Sequence, residues 1–298
     1  MASPQFAKFL ALLEKNRPPD GKVDVATMRR NMDQVGGRLP DGVTGTPDTV
    51  GGVAGEWIEA DGATTDRVVL YLHGGGYVAG SIDSHRNLTG NLAQALGCRL
   101  FAADYRLAPE HPHPAPVEDA TAAYRALVDD LGLDPRHLAV AGDSAGGGLT
   151  VAALLALRDA GDPLPAAAVT ISPWVDLEAT GESATTRAAA DPMVSPGSLK
   201  LIAAHFLGDG GDAHDPLAAP LHADLSGLPP MLIHVGDAEV LLDDAVRLTA
   251  RIHEVGGEAT LEVWPEMVHV WHASAGFVPE SDQAIERIAE YLRPRLGL

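Results

Sequence analysis

Apolar positions change their spacing along this chain. Over the first 45 or so residues they recur at helical intervals in two pieces, 6–15 and 25–35, which are broken by Pro18, Pro19 and a glycine- and proline-rich stretch. From about Val53 the texture becomes short apolar runs alternating with helical segments. The runs predict strands at 52–60, 67–72, 100–104, 138–141, 167–172, 231–235 and 259–263. The intervening segments predict helices near 84–96, 116–131, 146–160, 243–255 and 281–292. Strands that alternate with helices of ten or more residues imply a mostly parallel sheet covered on both faces, an α/β fold. One stretch, about 177–221, interrupts the rhythm with a helical patch at 196–207 and no clear strand. It reads as an insertion above the sheet. Together with residues 1–45 it would form a helical cap over the strand ends, where open α/β sheets bind ligands, and 46–298 would be the catalytic domain.

Composition narrows the function. A chain of 298 residues that is 46% hydrophobic can bury the core of one large α/β domain. Its formal net charge of −20 opposes binding to nucleic acid or to an anionic membrane surface. Cys98 is the single cysteine, so no intramolecular disulfide can form and a reducing compartment fits. The N-terminus has no apolar stretch behind a basic start, and no segment approaches the ~20 apolar residues of a membrane span. The expectation is a soluble, cytoplasmic protein.

Two segments carry chemistry. Gly142-Asp143-Ser144-Ala145-Gly146 follows the apolar run 138–141 and precedes a helical pattern. A serine between a strand and a helix with very small flanking residues is how a hydroxyl nucleophile is presented at a sharp, strained turn, with the positive end of the helix aimed at the reacting centre. The second segment, Tyr71-Leu72-His73-Gly74-Gly75-Gly76-Tyr77, also lies at the end of a predicted strand. Glycines let backbone amides approach a developing negative charge, so Gly75, Gly76 and the amide of Ala145 are the expected oxyanion hole, with Gly74 serving the turn and His73 supporting the loop. Ser144 needs a base, because a serine hydroxyl is a poor nucleophile at neutral pH. In the order serine, acid, histidine, the base belongs after the last strand, where His269 and His272 stand; His269 lies closer to the strand, leaving His272 as a helix-start or surface residue. The acid belongs after strand 231–235, where Glu239 sits in mid-loop and has reach. Asp237 competes from the strand end, and Asp243 and Asp244 from the first turn of the next helix, where they would complement its dipole.

Other polar residues have plainer expected roles. The stretch 104–110 follows a strand and would brace the glycine loop as a charged network. His111 and His113 lack the partners or spacing of a metal site, and Asp83, His85 and Arg86 suit either a substrate or a solvated helix start. Neither G-x-G-x-x-G nor a P-loop lysine is present, so no nucleotide cofactor is indicated, and no metal.

The ordered set His73-Gly74-Gly75-Gly76, the stretch 104–110, Gly142-Asp143-Ser144-Ala145-Gly146 and His269 resembles the bacterial hormone-sensitive-lipase-like (family IV) esterases of the α/β-hydrolase superfamily. The similarity runs from about residue 50 to the C-terminus. It implies the α/β-hydrolase fold, an eight-stranded, mostly parallel sheet flanked by helices with a helical cap. It also implies hydrolysis of short- to medium-chain carboxylic esters without metal or organic cofactor. Relatives of this kind often pair through the sheet edge, so a homodimer is within what the resemblance implies. Asp191-Pro192-Met193-Val194 looks like a cap motif of one branch, lying over the site. At the acid loop many members carry aspartate followed by Pro-Leu; here the matching position is Ala238, followed by Glu239, and some relatives use glutamate. The expected activity is a serine carboxylesterase acting through an acyl-enzyme. A lactone or amide hydrolase with the same triad is the alternative, and a non-catalytic small-molecule receptor is a further one.

Overall fold

The computed structural model describes residues 2–298. In chain order its elements are helices α1 (Pro4–Lys15) and α2 (Val25–Val35), strands β1 (Val43–Val50), β2 (Val53–Ala60) and β3 (Thr64–Leu72), helix α3 (Ile82–Leu96), strand β4 (Cys98–Ala103) and helix α4 (Ala115–Asp129). Then follow β5 (Leu138–Asp143), α5 (Ala145–Ala160), β6 (Ala167–Ile171), the one-turn α6 (Ser183–Thr186) and α7 (Pro196–Leu207). The chain closes with β7 (Met231–Gly236), α8 (Leu242–Glu254), β8 (Ala259–Trp264) and α9 (Pro279–Leu296). The strands form one eight-stranded sheet in the order β1-β2-β4-β3-β5-β6-β7-β8. From β4 to β8 all neighbours are parallel, while β1 and β2 are antiparallel.

The apolar runs behave as fully buried parallel strands do, sending alternate residues to opposite faces. In β3, Val68, Leu70 and Leu72 join the core under α4, α5 and α8, while Val69 and Tyr71 join the core under α3 and α9. Strand β1 is absent from the hydrophobic pattern. Only its terminal residues, Val43 and Val50, are buried, and Pro47 sits inside it. As an edge strand it needs neither a buried face nor every N–H, so a polar, proline-containing segment suffices. Its pairing with β2 is set by the turn: Gly51 and Gly52 take φ of +61° and +79°, the left-handed pair that a two-residue hairpin requires.

Because β3 through β8 run parallel, the segments that follow β3, β5, β7 and β8 leave the sheet at one edge. That edge gathers the glycine run, Ser144, the acid loop and His269. Helix α7 lies against the glycine run: Phe206 stacks on Tyr77 at 3.8 Å between ring centroids, and a Cβ on Gly76 would strike Ile202. Helix α2 reaches the same region, where Arg29 donates to the carbonyls of Val78 (2.7 Å) and Ala108 (3.0 Å) and pairs with Glu110. Helix α1 buries Phe6 with Met267, Val268 and Trp271, the residues around the His269 turn. Among the described residues no helix is long and apolar enough to cross a membrane.

Candidate active site

Ser144 occupies the turn between β5 and α5 with φ 54° and ψ −119°, a conformation that side chains rarely adopt and that marks a strained, over-determined site. The small flanking residues are required by packing. A Cβ on Gly142 would collide with the carbonyls of Gly146 and Leu72, and one on Gly146 would collide with those of Leu72 and His73. Strand β3 thus presses on the elbow from below, and only glycine fits at both positions. The turn is pinned by Ser144 N–H donating to the Ile171 carbonyl (2.8 Å), and the Trp174 N–H donating to the Ser144 carbonyl (3.0 Å).

His269 Nε2 lies 3.0 Å from Ser144 Oγ, and its Nδ1 lies 3.1 Å from Glu239 Oε1. Glu239 is fully buried, and its other oxygen accepts from the Ser172 hydroxyl (2.8 Å) and the Gly236 N–H (3.0 Å). Burial opposes charge on His269, but the hydrogen bond and charge of Glu239, with Asp191 and Asp143 farther off, outweigh it and raise the imidazole above its usual range. With Nδ1–H donating to Glu239, Nε2 is left as the acceptor facing the serine.

The competing residues have other work. Asp237 accepts the Glu266 N–H at 2.7 Å, closing the turn after β8. Asp243 accepts the Ser183 N–H (2.8 Å), which joins α8 to α6. Asp244 is buried and accepts the N–H groups of Val175 and Asp176, both at 2.9 Å; burial pushes its pKa up to about 8. His272, expected at a helix start or on the surface, begins the second residue of a short 3-10 turn but is completely buried. Its Nε2 meets His234 Nδ1 at 3.1 Å, under Trp271 rather than in solvent. The surface half of that expectation is corrected: the turn folds back onto the sheet and carries His272 beneath it.

The glycine run is anchored to the elbow by Asp143. One of its oxygens accepts from the Tyr71 hydroxyl (2.7 Å) and the Gly74 N–H (3.1 Å), and the other meets His85 Nε2 at 3.3 Å. All of these groups are buried. Despite the cost of burial, each partner stabilises the charge of the other, lowering the pKa of Asp143 and raising that of His85. His85 therefore braces this loop and is not part of a solvated helix start, whereas Arg86 pairs with Glu56 and Asp83 at the periphery. His73, pushed down to about 4 by burial and by His85, stays neutral, bonds the Gly74 carbonyl (2.8 Å) and stacks on Tyr105. Tyr105 in turn donates to the His73 carbonyl at 2.6 Å, and Ala108 N–H donates to the Tyr77 carbonyl at 2.8 Å, so the 104–110 stretch braces the loop through a hydroxyl and an amide and not as the expected charged network: Arg106 pairs with Glu118 and Asp119, and Glu110 with Arg29. Gly75 (φ +120°) and Gly76 (φ +67°) lie beyond this anchor. Among the described residues, the amides of Gly75, Gly76 and Ala145 find no protein acceptor.

Two contributors are missing from the expected set. Ser172 both donates to Glu239 and accepts the Val270 N–H (3.2 Å), fastening the acid loop to the histidine turn. Asp191 accepts the N–H of Val240, next to Glu239, at 3.0 Å, and those of Met193 and Val194, both at 2.9 Å. The motif beginning at Asp191 was visible, but its grip on the acid loop depends on packing across 49 residues of chain. A cavity of about 130 Å³ opens between Arg17–Asp20 and Ala188–Pro196; Asp191 lines it, but Ser144 and His269 do not.

Known proteins share this fold and much of this sequence. Residues 69–273 match a family described as the alpha/beta hydrolase fold. The chain is 47% identical to an acetyl-hydrolase from Streptomyces hygroscopicus over all of its own length and 99% of that protein. It is 50% identical to an esterase of the bacterial hormone-sensitive lipase family, with a TM-score of 0.95 and full coverage of both chains. It is 47% identical to EstE5, a crystal of which was soaked with p-nitrophenyl butyrate, again with a TM-score of 0.95 and full coverage. The chain belongs to the α/β-hydrolase fold family, among the bacterial hormone-sensitive-lipase-like esterases, and is an esterase.

Proposed function

We propose that this esterase hydrolyses short- to medium-chain carboxylic esters by two-step acyl transfer, with Ser144 as nucleophile, His269 as base and Glu239 as the acid that orients it. His269 Nε2 takes the serine proton as Oγ forms a bond to the ester carbonyl carbon. The carbonyl oxygen becomes an oxyanion held by the Gly75, Gly76 and Ala145 amides. The tetrahedral species collapses, the bond to the alcohol oxygen breaks, and His269 gives its proton to the departing alcohol. Water then repeats the sequence on the acyl-enzyme and releases the acid. No metal or organic cofactor enters these steps.

The observation that carries this reading is the unbroken chain Ser144 Oγ, His269, Glu239, with contacts of 3.0 and 3.1 Å, beside backbone amides that have no protein acceptor. Helix α7 against Tyr77 and Gly76, and α2 against Val78, support residues 1–45 and about 177–221 as the two parts of a cap. The acetyl-hydrolase name of one relative and the butyrate ester soaked into EstE5 favour small acyl groups. Lactones and activated amides pass through the same intermediate and are the second reading. The test is initial-rate hydrolysis of p-nitrophenyl esters from acetate to palmitate, with wild type beside Ser144→Ala. Turnover that peaks at short chains and vanishes in the mutant is expected. A folded wild type that turns over no ester would point to a lactone, an amide or a receptor, and an active Ser144→Ala would overturn the mechanism.

A further inference from the structure

Three segments of the 177–221 region and its border bring Glu178, His214 and His222 together on the surface. Glu178 follows β6, His214 lies in the loop after α7, and His222 closes a short 3-10 turn before β7. One potential ligand atom from each lies within 4.8 Å of the other two. His214 Nε2 is 2.9 Å from Glu178 Oε2, and the rings of His214 and His222 meet edge to face with centroids 4.5 Å apart. We propose that these three side chains bind one zinc-class divalent transition-metal ion.

The donor set selects the metal. Two imidazoles and one carboxylate suit zinc and its neighbours, which take nitrogen as readily as oxygen and leave a fourth position to water. Calcium and magnesium prefer oxygen throughout. Ligand atoms around tetrahedral zinc stand about 3.3 Å apart, given bonds of about 2.0 Å to each. The ligand atoms lie within 4.8 Å of one another, wider than that by up to about 1.5 Å, and all three side chains are exposed, so small side-chain rotations are the adjustment the site requires. Their backbones are already fixed: Glu178 N–H donates to Asp176 Oδ1 (3.1 Å), His214 N–H to Asp212 Oδ1 (2.9 Å), and His222 N–H to the Ala219 carbonyl (3.0 Å). Asp212 Oδ1 also stands 3.6 Å from His214 Nδ1, the place of an outer carboxylate that holds the ring and turns Nε2 toward a metal. A net charge of −20 draws cations to the surface. None of the three ligands bonds Ser144, His269 or Glu239, so the ion would not take part in ester hydrolysis; it would tie the loop leaving α7 to the segments on either side.

The test uses the chelator-stripped full chain, titrated calorimetrically with zinc and followed with cobalt(II), whose visible absorption reports its coordination. Wild type is expected to bind one equivalent, and His214→Ala and His222→Ala are each expected to weaken binding at least about tenfold. Both variants should retain wild-type metal-free ester turnover, which also shows that they fold. Zinc should raise the melting temperature of wild type but not of the variants. A His111→Ala control should bind as wild type does. The proposal fails if wild type takes up no zinc, if the folded variants bind it unchanged, or if binding is lost with His111.

Discussion

Glu239 differs from its three acidic neighbours in what its carboxylate meets. It accepts from His269, Ser172 and Gly236 in full burial, whereas Asp237 closes a turn and Asp243 and Asp244 serve α6 and the loop after β6. Glu239→Gln should therefore lower kcat by roughly 10³- to 10⁴-fold, because an amide can hold His269 in the wrong tautomer and cannot balance its charge. Asp237→Asn should leave kcat within about twofold, since the remaining amide oxygen still accepts the Glu266 N–H and only a charge-assisted bond away from His269 is exchanged for a neutral one, a change of about 1 kcal/mol. Steady-state kinetics of the two variants decide the assignment. The same contact predicts a pH effect. The proposed base, His269, works only unprotonated, and it is raised above an ordinary imidazole chiefly by Glu239 working against burial. The acid limb of kcat/KM should accordingly lie above pH 6.5, the unperturbed value, and move to lower pH in whatever activity Glu239→Gln retains.

The elements around the site are joined by buried carboxylates. Asp143 ends β5 and holds the loop after β3 through Gly74, so it positions the proposed oxyanion donors without touching Ser144 Oγ or His269. Asp143→Ala should lower kcat by about 10- to 100-fold with KM little changed, a smaller loss than removal of an oxyanion donor itself. Asp143→Asn, which keeps an acceptor for Gly74, should lose less. Asp244, near the start of α8, holds the loop after β6 by two backbone bonds. Asp244→Ala leaves two buried N–H groups without a partner and should cost about 2 to 5 kcal/mol in denaturant unfolding. Its folded pKa, about 8, lies above the 3.8 of the free side chain. The stability it contributes is therefore fully present below pH 4 and lost as pH rises through about 8. Asp244→Asn should flatten that decline, which melting temperatures across the range would register. Strand β1 shows why one element escaped the hydrophobic pattern: a strand at the sheet edge, buried only at its two ends, has no alternation to display.

Over the whole molecule the excess of acid dominates the electrostatics. With 41 acidic against 21 basic side chains, the folded chain repels itself more than its expanded form does. Raising sodium chloride from a few millimolar to several hundred should raise the melting temperature, because the Debye length falls from tens of ångströms to a few. A melting temperature independent of salt would show that local ion pairs, such as Arg29–Glu110 and Arg106–Asp119, already compensate the net charge.

Local sequence determined the parallel strands, most helices, the serine elbow and the glycine run, since each rests on spacing within a dozen residues. Steric demand made the elbow legible: only glycine fits where Gly142 and Gly146 meet β3. Chain order brought out His269 as well, because parallel strands must deliver their following loops to one edge. Tertiary structure alone decided which acid reaches His269 and that Ser172 and Asp191 hold the acid loop. It also buried His272 and drew Glu178, His214 and His222 together. Ser144 and His269 are 125 residues apart and Ser172 and Glu239 are 67 apart, so their meeting depends on how the crossover helices pack. Hydrophobic periodicity records which side of an element faces the core; it does not record which polar side chain from another element arrives there.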